Sequence, residues 1–190
     1  MNLIGWMIVG AGLVVLYAWY AAIVKRRNRV GEALAGIDVQ LQQRHDLIPN
    51  VLVIARRFME HEQTLLSSIT ELRSKAHQQI GERDFTKIEG KFETEARLEQ
   101  QMGRLLMLSE NYPQLRSDGP MIEAQRTYTE IEANIAAARR FYNASVAELR
   151  NAAEIFPGSL LRGLAGVSTL PPSFQTTAEA RTPVDASKYL

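Results

Sequence analysis

Residues 3–24, LIGWMIVGAGLVVLYAWYAAIV, carry no charged side chain. As a helix rising 1.5 Å per residue, about 22 residues reach roughly 33 Å, enough to cross a hydrocarbon core of about 30 Å. Trp6 lies near one end, and Tyr17, Trp19 and Tyr20 near the other, where amphipathic rings favour the water–lipid boundary. Lys25, Arg26, Arg27 and Arg29 follow at once. Cations this close to a span stay on the cytoplasmic side. The expectation is one membrane-spanning helix with its N-terminus outside and the rest of the chain in the cytoplasm. Trp6, Trp19, Tyr20 and the four cations are its membrane-contact residues.

Two other readings of this stretch fit less well. A cleaved signal needs a cationic leader, a shorter apolar core and a small-residue cleavage site. No Lys or Arg precedes the stretch, and Ala21-Ala22 makes a poor site. A core helix of a soluble domain rarely runs so far without a polar residue. The cationic block at 25–29 is a candidate contact with anionic lipid headgroups, although setting topology alone is the favoured explanation.

The chain has 190 residues, with 22 basic and 21 acidic ones, all outside the span. One domain beyond the anchor is the natural expectation. The balanced charge argues against a nucleic-acid partner, which would select a basic excess. Without cysteine, disulfides, zinc–thiolate sites and thiol nucleophiles are excluded.

Beyond the basic flank, apolar residues recur at steps of three and four from Val30 to Ala76, predicting one helix over 30–80. Pro49 interrupts it, by a kink or by a stop and restart capped by Asp46. The kink is favoured because the stripe continues on both sides. Gly81 and Asp84 suit a helix end and a new cap. A second helix is expected over 85–111, burying Phe85, Ile88, Phe92, Leu98, Met102, Leu105 and Leu106. The alternating charges from Lys87 to Glu99 read as its solvated face. Pro113 and the run Ser117-Asp118-Gly119-Pro120 make a turn. A third helix follows over 119–155, its stripe running Ile122, Gln125, Tyr128, Ile131, Ile135, Ala138, Phe141, Tyr142, Val146, Leu149 and Ala153.

The pattern predicts an all-α protein: an anchor at 1–24, a basic flank at 25–29, and an elongated antiparallel three-helix bundle at 30–157. An apolar Gly/Pro-containing segment at 158–174 and a loosely held polar tail at 175–190 complete it. With three helices joined by short turns, the segment 158–174 lies at the end far from the anchor. There it either folds back on the bundle or meets a neighbouring molecule. Leu160, Leu161, Leu164, Val167 and Phe174 are its candidate assembly residues.

Catalytic patterns are missing. His45, His61 and His77 are spaced by 16 residues, so on one helix successive rings point to nearly opposite faces. No phosphate-binding glycine loop, nucleophile elbow or Glu-x-x-His pair occurs. No enzyme activity, metal or cofactor is expected. Two polar clusters sit on otherwise apolar faces: Asp38, Arg44, Asp46 and Asn50 near the proline, and Arg139, Arg140, Tyr142 and Asn143 in the third helix. Charges near a core need partners, so Asp38 or Asp46 is expected to accept from Arg139 or Arg140.

The runs IDVQLQQRHDLIPN (37–50), RLLMLSENYPQLRSD (104–118), AARRFYN (137–143) and IFPGSLLRGLAGV (155–167) resemble blocks of the LemA family in the same order. The likeness covers most of residues 3–175, while 176–190 lacks the family's usual basic-aromatic ending. It implies a single-span bacterial membrane protein with a cytoplasmic helical bundle, no established catalytic activity, and roles in membrane organisation; a related branch is associated with magnetosome membranes. The functional expectation is a self-associating membrane scaffold in the bacterial cytoplasmic membrane. An adaptor recruiting another envelope protein, such as a protease or sensor, is the alternative. The expected partners are the lipid bilayer and further copies of the chain.

Overall fold

The computed structural model describes residues 3–81, 84 and 87–174. All regular structure among them is helical. The first helix, α1, runs unbroken from Leu3 to Arg56, 54 residues, or about 80 Å. Its apolar N-terminal part is almost wholly exposed. From Ile23 onward one face is buried through Val30, Leu34, Ile37, Leu41, Ile48, Val51 and Ala55. One rigid element is thus both the candidate span and the central helix of the bundle.

Pro49 does not end this helix. It lacks the N–H that would bond the carbonyl four residues back, His45. Arg73 takes that place, its Nε donating to the His45 carbonyl oxygen at 2.6 Å. Arg73 lies in the next long helix, α2 (Gln63–Gln78), so the helix defect becomes a docking point for a neighbour. Arg73→Ala should destabilise the protein by about 1–3 kcal/mol, the cost of leaving a buried acceptor unpaired. In a Pro49→Ala background the restored backbone donor should shrink that loss, and thermal unfolding of the four chains measures the coupling.

The chain reverses at 57–62, with a short 3-10 turn at Glu60–Glu62. Met59, fully buried, plugs the corner. The expected helix over 30–80 is therefore two antiparallel helices, and the bundle has four long segments. The stripe could not reveal this, because Leu65, Leu66 and Ile69 continue the spacing of Leu52, Ala55 and Met59. Gly81 closes the next connection at φ +83°, a left-handed conformation that suits a residue without Cβ. The third long helix, α3, spans Ile88–Ser109. Phe85, expected in its core, falls outside the described residues. After the short α4 (Pro113–Arg116), α5 covers Gly119–Glu154. Asp118 caps it, its carboxylate accepting from the Met121 N–H at 3.0 Å.

Cross-helix pairs fix the directions. Arg73 meets His45 and the Gly81 N–H meets Asp38, so α2 runs back along α1. Lys91 meets Asp38 and Glu95 meets Arg44, so α3 runs parallel to α1. Glu132 meets Arg44 and Glu148 meets Arg29, so α5 returns toward the anchor. The extra reversal at 57–62 changes the parity of the path. The segment after α5 ends beside the base of α1, not at the far end.

That position matches a gap in the bundle. At the Asp38 level α2 has just ended and α3 is in its first turn, so below it, among the described residues, α1 and α5 run on without α2 and α3 beside them. The segment 158–174 covers part of the space. It starts with a helical turn, α6 (Gly158–Leu161), and buries Ala165 and Val167 against Ile23, Val30, Leu149 and Ala153. The fold-back alternative thus describes this segment, at the opposite end from the one expected. In α5 the buried stripe takes Met121 and Ala124, while Ile122 and Phe141 are 52% and 48% exposed.

Candidate functional site: an ionic layer and a cap at the base of the first helix

Two clusters of apolar core, one around Ile23–Leu41 and one around Ile48–Ala76, are separated by a layer of charge. Arg44 is fully buried. It pairs with Glu95 of α3, and its Nη1 donates to Glu132 of α5 at 2.8 Å. His45 Nε2 lies 3.1 Å from Glu95 Oε1, and the His45 and His77 rings are 5.9 Å apart. One turn back along α3, toward the apolar arm of α1, Lys91 pairs with Asp38, whose other oxygen accepts from the Gly81 N–H at 3.2 Å. On the outer side both terminal nitrogens of Arg139 donate to Glu99 Oε2 at 3.1 Å.

Several expectations change here. Asp38 pairs with Lys91 and Arg139 with Glu99, not with each other. Arg140 is exposed, as are Asp46 and Asn50; Asp46 accepts from Gln42 within α1 at 2.8 Å. Lys91 and Glu95, read as part of a solvated face, are 0% and 1% exposed. They lie four apart and so share a face with Ile88 and Leu98. That periodicity was the available signal, obscured by the charges around it. The convergence of His45 with His77 also follows from the reversal at 57–62, which the single-helix geometry left out. Among the described residues no group of three His, Cys, Asp or Glu is placed to hold a metal ion.

Burial disfavours the Glu95 carboxylate, but the His45 hydrogen bond and the Arg44 charge outweigh it and hold its pKa below the ordinary value. Burial likewise opposes the Arg44 charge, and Glu95 and then Glu132 overcome it, so the guanidinium is held charged more firmly than usual. A carboxylate with a depressed folded pKa adds stability above its unfolded value, and that share fades as pH falls through the folded value. The Glu95 share of the stability should therefore be fully present above the ordinary carboxylate value of 4.5 and be lost as pH falls below it. Glu95→Gln should flatten part of that acid slope, which thermal midpoints between pH 3 and 7 (a range of order four units) would register.

The second feature is the cap formed by residues 155–174. Arg27 Nη1 donates to the Ala165 carbonyl at 3.0 Å, tying the cap to the base of α1. Gly158 lies against Ile23, where a methyl group would collide with the Ala152 carbonyl. Gly166 turns at φ +72° directly under the Arg27 guanidinium. The cap then runs back along α5. The Tyr142 hydroxyl donates to the Pro172 carbonyl at 2.9 Å, and burial pushes its pKa up to about 12. The Asn143 amide brackets Phe174, accepting from its N–H at 2.9 Å and donating to its carbonyl at 3.1 Å. Phe174 stacks on Phe92 at 3.5 Å between centroids, under the Arg139 guanidinium.

Arg139, Tyr142 and Asn143 of the AARRFYN run thereby form a receptor for the strap that follows α5. Of the candidate assembly residues, Val167 is buried and Leu161 and Phe174 pack on the core, while Leu160 and Leu164 are 71% and 77% exposed. The basic block is divided too. Arg27 holds the cap, and Arg29 reaches Glu148 at 3.4 Å and lies over Phe141. Lys25 is exposed. In the apolar part of α1, Trp6 is 62% and Tyr20 37% exposed, with Trp19 partly covered.

A helical bundle whose central helix extends into one long apolar arm defines a class of protein fitted to a membrane. The LemA family model matches residues 33–187, most of the chain, and the protein belongs to that family. The matched region runs past the bundle through most of the tail at 175–190 and begins inside α1, beyond the apolar arm. No curated protein matches the chain.

Proposed function

We propose that the protein is a non-enzymatic scaffold of the bacterial cytoplasmic membrane, crossing it once with the N-terminus outside and the bundle in the cytoplasm. The observation that carries this reading is the continuity of α1 from Leu3 to Arg56. A flexible linker would let the bundle tumble on its anchor. A continuous helix, clamped at its base by Arg27 and the cap, fixes the bundle's angle to the bilayer. Contacts between neighbouring copies would then be transmitted to the membrane as tilt or curvature. The orientation rests on the cations at 25–29.

Electron microscopy of the full chain reconstituted in lipid tests the scaffold directly. Clusters or arrays that grow with protein density support it; single particles at every density contradict it. The adaptor reading is favoured by Met107 and Ile122, 74% and 52% exposed at the end far from the arm. It predicts that charged substitutions there leave self-assembly intact while abolishing capture of one specific envelope protein.

A further inference from the structure

We propose that the cap is a second membrane-contact element, with Ile155, Phe156, Leu160 and Leu164 set into the headgroup–acyl boundary of the leaflet from which α1 emerges. The inference rests on the single-span reading above and adds a binding surface to it. These four side chains are 58%, 73%, 71% and 77% exposed. They occur within ten positions of one another, in a segment that buries Gly158, Ala165 and Val167 against the protein. Ala165 and Val167 are buried, and Leu161 lies against the core. The segment therefore has an inner face that docks and an outer face that does not.

Its level along α1 names the occupant. Counting from Leu3, the roughly 20 residues that cross a hydrocarbon core of about 30 Å end near Ala22 and Ile23. Gly158 lies against Ile23, and Ala165 is bonded to Arg27 one turn further on. Trp19 and Tyr20, rings suited to the interface, precede that level by about one turn. Arg162 stands exposed between Leu160 and Leu164, and Lys25 is exposed nearby on α1. Apolar groups that enter the acyl boundary, with cations at headgroup depth, form the pattern of an interfacial anchor. A second copy of the chain would not call for that level. Two points of contact, a span and a cap, also hold the bundle against rotation about the span, which one helix cannot do.

Depth-dependent quenching of tryptophan in proteoliposomes tests this. One full-length chain carries Trp6→Phe, Trp19→Phe and Phe156→Trp; a second carries Met107→Trp in place of the last change; a third keeps Trp19 alone. Phe156 is exposed, so the substitution leaves the packing intact. Emission from position 156 should be blue-shifted in lipid and quenched by lipids brominated near the carbonyl end of their chains, while position 107 should show neither effect. If Trp19 is quenched and position 156 behaves like 107, the span stands and the cap proposal falls. If Trp19 is unquenched, the span reading falls and takes the proposal with it. Shielding of position 156 that ignores bromine and vanishes when the protein is diluted in lipid would mean a second copy covers it, and overturns the proposal as well.

Discussion

Replacing Glu95 with alanine should lower the stability of the folded protein by about 3–5 kcal/mol, the cost of leaving a buried charge without its partner. Arg44 is fully buried, and with Glu95 removed it keeps only Glu132, on a partly exposed side chain, to balance its charge. His45 loses its partner in the same step. The expected result changes if the pair is replaced as a unit. Arg44→Met with Glu95→Leu should be much nearer neutral, because exchanging a buried ion pair for apolar residues of similar volume removes both desolvation penalties. Thermal or denaturant unfolding of the single and double variants distinguishes the cases. Near-equal losses in all of them would mean that the layer is not a coupled unit. What the layer supplies is register. With apolar core above and below, α1, α3 and α5 could slide by a turn, but the Arg44–Glu95, Arg44–Glu132 and Asp38–Lys91 pairs meet in one alignment.

Gly158→Val should release the cap. Its side chain would enter the space of the Ala152 carbonyl, which belongs to the last turns of α5 and cannot rotate aside as a flexible side chain can. Overpacking of this kind costs about 1–3 kcal/mol. Every 1.4 kcal/mol raises the open population about tenfold, so trypsin cleavage after Arg162 should accelerate by roughly 5- to 100-fold where cleavage samples a transiently open state. Gly163→Ala is the control, since nothing lies near its added methyl group and cleavage should stay at the wild-type rate. Equal acceleration in both variants would place the glycine requirement in the turn's flexibility instead of its close approach to α5.

Much of this arrangement was legible in the residues. An uncharged run as long as 3–24 admits few structures. The turn at Ser117-Asp118-Gly119-Pro120 and the glycine at 81 announced themselves by their backbone chemistry, and Asp118 is the cap of α5. The reversal at 57–62 was hidden for a physical reason. No proline or glycine marks it, and a hairpin buries the same stripe from its two arms as a straight helix buries along one side. Everything that depended on that reversal was hidden with it: the meeting of His45 with His77, the partner of Asp38, and the end of the bundle at which the cap lies. Lys91 and Glu95 show a different limit. Their spacing placed them on the inner face, but their charge argued for water, and only partners on another helix reconcile the two. Pro49 carried a clear signal of a helix defect; that Arg73 would repair it depended on α2 returning past His45.

The position of the cap beside the base of α1 is the claim on which the rest depends. The chain has no cysteine, so spin labels can be placed at will by Asn28→Cys with Leu164→Cys, and by Asn28→Cys with Met107→Cys, in full-length protein in lipid. Residue 28 lies one position from Arg27, whose side chain bonds Ala165, whereas Met107 lies near the end of α3, separated from 28 by most of the roughly 40 Å that α1 rises to Arg56. The account predicts a short 28–164 distance, about 20 Å or less with label arms included, and a 28–107 distance at least ~10 Å longer. A 28–164 distance equal to or longer than 28–107 would put the cap at the other end and contradict it.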